Sequence, residues 1–291
     1  MIIVNLQGGL GNKMFQYALY KSLLCSGKDA LLDDFTFRAS WDFENIGIRQ
    51  IFPNVTYQIA SKEIVEKIAG KNNIINKIRR RCSIPIIHNK KCILDLCMKF
   101  DPEILNLIGD YYISGAWQSE KYFENCKDAI SKAYQFTDFV DKRNLTLSKE
   151  MSQQESISIH VRKGTDYLKR IVKGTCLPSY YEEAIKLINQ KIDNPKYYIF
   201  TDNTEWVKNN INNVEYNLIN WNPTSGINNY LDMQLMSCCK HNIIANSSYS
   251  WWGAWLNSNS QKIVIGPQRW FSSQSKKFDT SNLMPDNWIR L

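Results

Sequence analysis

The second half of the chain alternates short apolar strands with amphipathic helices, and this order restricts the fold more than any other feature of the sequence. The runs follow one another as strand 157–161, helix 179–191, strand 197–201, helix 204–211, strand 215–219, helix 228–239, strand 242–245, helix 251–257 and strand 262–265. Strands that are separated by helices pair in parallel, because the crossover between them needs the length of a helix. The sequence therefore predicts a parallel sheet with helices on both faces.

The first half of the chain starts with the same pattern, so we expect two α/β domains. Residues 1–60 alternate strand, helix and loop, and a length of 291 residues suits two domains of ordinary size. Residues 138–155 are charged and polar and are interpreted as the linker. We expect an N-terminal domain over 1–150 and a C-terminal domain over 151–291, with a return of the last segment to the first domain as an open alternative.

A strand followed by a basic turn occupies residues 156–167, SISIHVRKGTDY. Arg162, Lys163 and Gly164 follow the strand at its carboxyl end. An arginine presents a planar fork of donors to phosphate oxygens, and glycine lets the backbone approach closely. Ligands of open α/β folds collect at this edge of the sheet. A diphosphate site is one interpretation of the turn, and a solvated basic turn is the other.

A glycine-rich loop near the N terminus leads from the first strand into a helix over 14–24. Its glycines, Gly8, Gly9 and Gly11, have the spacing GGxG, and Asn12 follows them. Backbone N–H groups of such a loop can hold an anion or a sugar at the start of a helix. The spacing differs from the dinucleotide fingerprint and from the P-loop. A turn that needs positive φ is an equally good interpretation.

Four small polar residues precede the helix predicted over 251–257. They are Asn246, Ser247, Ser248 and Ser250. Such side chains either cap a helix or hold a phosphate at its N terminus. For Trp251, Trp252 and Trp255, packing in the core is favoured over stacking on a sugar, because tryptophan buries a large apolar area.

Four ordered motifs resemble the α-1,2-fucosyltransferases of glycosyltransferase family 11. Residues 8–18 resemble the amino terminus of that family, and residues 160–164 resemble the His-x-Arg-Arg-Gly-Asp motif of α-1,2-, α-1,6- and protein O-fucosyltransferases. Residues 200–203, FTDN, and 246–254, NSSYSWWGA, resemble two further family motifs. The resemblance runs in family order along nearly the whole chain.

The resemblance implies a GT-B fold, in which two Rossmann-like domains face a cleft. It implies an inverting galactoside 2-α-L-fucosyltransferase that moves L-fucose from GDP-β-L-fucose to the 2-hydroxyl of a galactose in an O-antigen-like glycan of bacterial lipopolysaccharide. It implies no metal or other cofactor, and positive side chains would replace a cation at the diphosphate. Composition and spacing alone support only a diphosphate-binding α/β protein. An enzyme with another donor or linkage and a non-catalytic glycan- or nucleotide-binding protein stay open as alternatives.

The candidate catalytic residues lie in and beside the basic turn. Arg162 is expected to neutralise the charge that builds on the β-phosphate. His160 points the same way from its strand, and we favour a buried histidine that orients its neighbours over a catalytic one. Asp166 is the candidate general base, but an ion pair with the neighbouring cations, or a loose transition state without a strong base, explains it equally well.

The candidate donor-binding residues come from all the motifs. They are Gly9, Gly11, Asn12, Arg162, Lys163, Asp202, Asp232, Asn246, Ser247, Ser248 and Ser250. Asp202 and Asp232 are expected at the guanine or ribose, and Asn12 is expected near the fucose or acceptor. The turn departs from the family motif, because Lys163 replaces an arginine and loses its bidentate fork. The inserted Thr165 leaves the direction of the following aspartate open.

Charge and cysteine content add expectations about partners and location. A formal net charge of +8 suits anionic partners. The eight cysteines form no Cys-x-x-Cys pair, which favours free thiols in a reducing cytoplasm. The basic residues of 71–91 are interpreted first as a solvated helix face and second as a peripheral contact with the anionic inner face of the membrane. Nucleic acid is disfavoured, because no recognised binding motif is present.

Overall fold

The computed structural model describes residues 1–35, 47–71, 91–95, 97–164, 175–272 and 278–291. The chain divides into two units, of which the first comprises Met1–Gln135 and Lys277–Pro285 and the second comprises Phe136–Lys276 and Asp286–Leu291. The boundary between the units follows Gln135, whereas the sequence analysis placed it at residue 150. Near its C terminus the chain returns to the first unit and then ends in the second.

In its described part, the first unit is built on a four-stranded parallel sheet. Its strands are β1 (Ile2–Asn5), β2 (Ala30–Asp33), β3 (Cys92–Leu94) and β4 (Tyr111–Ser114), in the order β2-β1-β4-β3. Its helices are α1 (Leu10–Cys25), α2 (Ile48–Ile51), α3 (Lys62–Ala69), α4 (Glu103–Asn106) and α5 (Lys127–Ala133), with a 3-10 helix at Glu120–Cys126. The apolar strand β1 is buried along its whole length, as a strand inside a parallel sheet must be.

The glycine loop starts helix α1 earlier than the sequence indicates, at residue 10 rather than 14. Gly9 precedes the helix in an extended conformation. Its carbonyl accepts hydrogen bonds from the backbone N–H groups of Asn12 and Lys13. Gly8 has a φ of +88°, which favours glycine at the turn that leads out of the sheet.

The described part of the second unit is built on a six-stranded parallel sheet. Its strands are β5 (Ser156–Val161), β6 (Lys196–Thr201), β7 (Tyr216–Ile219), β8 (His241–Ile243), β9 (Val264–Gly266) and β10 (Ile289–Arg290), in the order β10-β9-β8-β5-β6-β7. Its helices are α6 (Lys142–Gln153), α7 (Pro178–Lys191), α8 (Thr204–Asn210), α9 (Leu231–Cys238) and α10 (Ser248–Trp255), with a 3-10 helix at Ile227–Tyr230. The predicted alternation of strands and helices is confirmed, with differences of a few residues at the ends of elements.

Residues 138–155, which the sequence predicts as a linker, contain helix α6 instead. Asp141 caps this helix by accepting a hydrogen bond of 2.9 Å from the backbone N–H of Asn144. The side chains that the helix buries are those of Asn144 and Met151. Because one of these two anchors is polar, the segment lacks the apolar periodicity by which an amphipathic helix is recognised.

The tryptophans at the start of α10 pack in the core, as the sequence analysis favours. Trp251 and Trp252 are both 0% exposed, and their ring centroids lie 4.9 Å apart. Trp288, from the last segment of the chain, lies 5.3 Å from Trp251. Because these two rings are fully buried in the core, they cannot form a platform on which a sugar stacks.

The structure bears only in part on the expectations about membrane spans, cysteines and the basic stretch 71–91. Among the described residues, no helix is long and apolar enough to cross a membrane. The cysteines that lie in the described ranges are free thiols. Most of the basic stretch 71–91, with Cys82, lies outside the described residues, and its contact with a membrane stays a prediction.

Candidate active site

The carboxyl ends of β5 and β6 place Arg162 beside Asp202. The two strands pair in parallel with Val161 opposite Thr201, so the residues that follow them reach the same edge of the sheet. Arg162 Nη1 lies 2.8 Å from Asp202 Oδ2. The side chain of Asp202 is 11% exposed and that of Arg162 is 40% exposed. The carboxylate is thus shielded, while the arginine that it holds remains accessible to an anionic ligand.

Asp202 also fixes the turn that follows β5. Its Oδ1 accepts a hydrogen bond of 2.7 Å from the backbone N–H of Lys163. A Cβ on Gly164 would lie 2.5 Å from Asp202 Oδ2, so the close approach of this carboxylate requires glycine. Both carboxylate oxygens are engaged inside the turn. The expected contact of Asp202 with guanine or ribose stays a prediction.

Asn203 ties the same turn to the next helix. Its Nδ2 donates to the carbonyl of Lys163 at 3.1 Å. Its Oδ1 accepts from the backbone N–H of Trp206 at 2.9 Å and caps α8. The motif at residues 200–203 therefore holds the turn after β5 by two adjacent side chains, one charged and one neutral.

Lys163 points inward, in contrast to Arg162. Its side chain is buried, its Nζ donates to the carbonyl of Thr175 at 2.8 Å, and Nζ lies 5.0 Å from the ring centroid of Trp206. Burial lowers the pKa of this ammonium from its usual value. The structure thus gives Lys163 a role in holding the residue that follows the undescribed segment 165–174. Its contact with phosphate stays a prediction.

His160 is a buried, uncharged histidine. It is 7% exposed, and burial, followed by the charge of Arg162, lowers its pKa to about 3. Its ring centroid lies 5.8 Å from that of Tyr249, and its Nδ1 has no hydrogen-bond partner among the described residues. A group with this pKa is neutral at physiological pH, so one ring nitrogen of His160 can donate a hydrogen bond and the other can accept one, but the ring cannot supply a positive charge.

The four small polar residues around the start of α10 divide into two inward and two surface side chains. Asn246 is buried and donates to Thr175 Oγ1 at 2.6 Å and to the carbonyl of Trp270 at 2.8 Å. Ser250 is 0% exposed, and its hydroxyl donates to backbone carbonyls at 3.3 Å. Ser247 caps the helix through the backbone N–H of Tyr249, and both Ser247 and Ser248 reach the surface in part. Of the four, only Ser247 and Ser248 are placed to touch a ligand directly.

Asp232 lies in the first turn of α9 and is only partly exposed. Its Oδ1 accepts a hydrogen bond of 2.8 Å from Asn222 Nδ2. Burial raises the pKa of this carboxyl group to about 6, and the bond from Asn222 opposes that change. Tyr249 connects this helix to His160, since its hydroxyl accepts from the backbone N–H of Met233 at 2.8 Å.

The glycine loop of the first unit is held by side-chain amides. Gln16 Oε1 accepts from the backbone N–H of Gln7 at 2.8 Å, and its Nε2 donates to the carbonyl of Gly115 at 2.9 Å. Gln118 Nε2 donates to Asn12 Oδ1 at 2.8 Å. These bonds join the start of α1 to the segment after β4. Gly9 is exposed and Gly11 is buried, so a ligand can reach the loop backbone at Gly9.

Sequence reasoning missed the amides that support the site. Asn144 and Asn222 lie outside every motif, and no periodicity marks them. Gln16 and Tyr249 lie inside motifs but were not singled out, although a polar residue on the inner face of a helix is a signal for a buried hydrogen bond. Asp166 lies outside the described residues, so its role as a base stays a prediction. The described residues hold no group of three or more His, Cys, Asp or Glu side chains that could bind a metal ion.

Comparisons with known proteins identify the family. The family model described as Glycosyl transferase family 11 matches residues 103–291. The chain belongs to glycosyltransferase family 11. It is 30% identical to an Escherichia coli alpha-1,2-colitosyltransferase, over 100% of this chain and 99% of that protein. It is 31% identical to the Escherichia coli O-antigen biosynthesis glycosyltransferase WbnK, over 98% and 99% of the two chains.

Solved structures agree on the fold of this family 11 transferase. The crystal structure of NodZ alpha-1,6-fucosyltransferase soaked with GDP-fucose matches with a TM-score of 0.50 and 16% identity, over 88% of this chain and 91% of that chain. The fucosyltransferase NodZ from Bradyrhizobium also gives a TM-score of 0.50, with 12% identity, over 87% and 91%. The predicted GT-B fold, with two parallel α/β units, is confirmed.

The close contact of Gly164 with Asp202 predicts a steric effect. Gly164→Ala should displace the carboxylate from Arg162 and lower the free energy of unfolding by roughly 1–3 kcal/mol. Gly9→Ser is the matched control, because a Cβ there meets nothing within 4 Å and serine is a preferred N-cap residue. Denaturant unfolding of both variants checks the prediction. Equal stability of Gly164→Ala and the parent chain would contradict it.

The raised pKa of Asp232 predicts a pH-dependent stability. An acid whose pKa is higher in the folded state binds more protons there, so its contribution to stability falls as pH rises from about 4 through about 6. Asp232→Asn removes this loss, and its stability relative to the parent should rise between pH 4.5 and 7.5 by roughly 1–3 kcal/mol.

Thermal unfolding at the two pH values measures this change, with Asp193→Asn as the control, because Asp193 is an exposed carboxylate of the same unit. A pH-independent difference between Asp232→Asn and the parent contradicts the assignment. A parallel change in Asp193→Asn contradicts it as well, since the effect is then general.

Proposed function

We propose that this chain is an inverting α-1,2-fucosyltransferase that moves L-fucose from GDP-β-L-fucose to the 2-hydroxyl of a galactose in a bacterial O-antigen-like glycan. One observation carries the proposal: the guanidinium of Arg162 is held by Asp202 at a strand end and its side chain is still 40% exposed. Membership of family 11 and the O-antigen transferase among the relatives support it. The sequence motifs supply the donor and the linkage.

In a single displacement, the acceptor oxygen attacks the anomeric carbon as the bond to the β-phosphate oxygen breaks. GDP leaves with the electron pair, and the acceptor hydroxyl loses its proton. Arg162 is already oriented by its ion pair, so it can stabilise the charge on the leaving diphosphate without reorganisation. Ser247 and Ser248 start α10 after β8, which neighbours β5, and their hydroxyl groups can donate to the same diphosphate.

The nucleoside of the donor is assigned to the start of α9. Asp232 uses one carboxylate oxygen for Asn222, which leaves the other for hydrogen bonds from guanine or ribose. His160 is uncharged, so it acts here as a hydrogen-bonding neighbour rather than as an acid. The proton acceptor assigned to Asp166 and the peripheral membrane contact of residues 71–91 remain proposals from the sequence alone.

A second donor is favoured by one finding, the 30% identity to an alpha-1,2-colitosyltransferase. Colitose is the 3-deoxy analogue of L-fucose, so the two donors share the GDP group and differ by a single hydroxyl. A transfer assay that offers GDP-fucose and GDP-colitose to a panel of galactosides, with the linkage determined by NMR, separates the two. Fucosylation of a 2-hydroxyl supports the proposal, and transfer of colitose alone replaces it by the second function.

Arg162→Ala should lower kcat roughly 10²–10³-fold, the scale for removing one transition-state donor. Arg162→Lys should also be impaired, because lysine keeps the charge but loses the planar fork. Arg49→Ala, which removes an exposed arginine of the first unit, is the matched control and should retain turnover. Steady-state kinetics on folded variants provide the test, and near-normal turnover of Arg162→Ala contradicts the assignment.

The family resemblance predicts that transfer needs no divalent ion. Activity should therefore survive incubation with an excess of EDTA, because positive side chains neutralise the diphosphate. The same assay with added Mg²⁺ or Mn²⁺ provides the control. A tenfold loss in EDTA that either ion restores shows that the prediction is wrong.

A further inference from the structure

A buried amide on α6 is connected to Asp232 by a short chain of hydrogen bonds. Asn144 is 1% exposed, and its Nδ2 donates to Asn222 Oδ1 at 2.8 Å. Asn222 Nδ2 in turn donates to Asp232 Oδ1 at 2.8 Å. Three separate segments of the second unit, namely α6, the loop after β7 and the first turn of α9, thus converge on one carboxylate.

A group that can only donate fixes which amide atoms donate and which accept in this series of hydrogen bonds. Trp221 Nε1 donates to Asn144 Oδ1 at 2.9 Å, and an indole N–H has no acceptor capacity. Asn144 must therefore present its NH₂ group to Asn222 Oδ1. Asn222 Nδ2 also donates to Asn144 Oδ1 over a longer distance of 3.4 Å, which agrees with the same orientation of both amides. Asn222 must then present its own NH₂ group to Asp232, as a carboxylate requires. Arg143 packs on the ring of Trp221, with its Cζ 3.5 Å from the ring centroid.

The arrangement leaves one oxygen of Asp232 for a ligand. Oδ1 accepts from Asn222, and Oδ2 receives no hydrogen bond from any described residue. The first turn of α9 follows the loop after β7, at the carboxyl edge of the sheet where Arg162 lies. A partly buried carboxylate with one oriented and one unused oxygen suits a ligand with N–H or O–H donors, as guanine and ribose have.

We propose that Asn144 is a positioning residue, which acts through Asn222 to hold Asp232 in the orientation that binds the nucleoside of the donor. This inference rests on the proposed function, because it takes a GDP-sugar as the donor. In this series of hydrogen bonds, Asn222 stands between Asn144 and Asp232, and Asn144 touches no reacting atom. Its effect is therefore expected in the binding of GDP and in KM for the donor, with kcat for the transfer unchanged.

Asn144→Asp tests this with almost no change in volume. A carboxylate still accepts from Trp221 but cannot donate to Asn222 Oδ1, so the bond that fixes the orientation of the Asn222 amide toward Asp232 is lost. GDP affinity, measured by calorimetry, should fall about tenfold, the scale of one hydrogen bond to a charged group. In an Asp232→Asn background, the same substitution should cause no further loss. Asn222→Ser, at a partly exposed position, should reproduce the loss if Asn144→Asp does not fold.

The outcomes separate this inference from the proposed function. If the parent chain does not bind GDP, the proposed function fails and this inference fails with it. If the parent binds GDP and Asn144→Asp or Asn222→Ser binds it equally well, only the positioning role is overturned. An equal loss in the presence and absence of the Asp232 carboxylate, or a fall in kcat without a rise in KM, also overturns it, because the residue then acts through general structure.

Discussion

The ion pair between Arg162 and Asp202 is the contact on which the rest of the candidate site depends. It forms because two parallel strands, β5 and β6, end at the same level of the sheet. The carboxylate that holds the arginine also accepts the N–H group of Lys163 and leaves room only for glycine at position 164. Removing either partner would leave a charge without its counterion at a partly desolvated position, so loss of the ion pair should also disturb the turn.

Among the described residues 160–164, Arg162 is the cationic side chain that remains accessible to an anion. Lys163 is satisfied inside by a carbonyl, and His160 is kept neutral by burial. Burial costs a charged group its hydration, and each of these side chains avoids that cost in a different way. The ring of Tyr249 packs against His160, and its hydroxyl accepts a hydrogen bond from the backbone N–H of Met233 in α9. Tyr249 therefore connects the end of β5 to the helix that carries Asp232.

The need to satisfy buried polar groups also explains why the four small polar residues around the start of α10 differ in role. Asn246 and Ser250 spend their hydrogen-bonding groups on the protein, whereas Ser247 and Ser248 start the helix at the surface. A motif of four small polar residues thus contains two that build the loop and two that can meet a ligand. The first two are as necessary as the others, since an unsatisfied polar group in this core would be costly.

The sequence by itself determined the parallel α/β architecture, the family and the strand end that carries Arg162. These follow from alternation, period and ordered motifs, which are properties of neighbouring residues along the chain. Only the tertiary structure decided that 138–155 contains a helix anchored by Asn144, that Lys163 points inward, and that Asp202 is already engaged. Each of these depends on a hydrogen-bond partner far away in the sequence, and a local pattern cannot specify a partner that only folding brings within 3 Å.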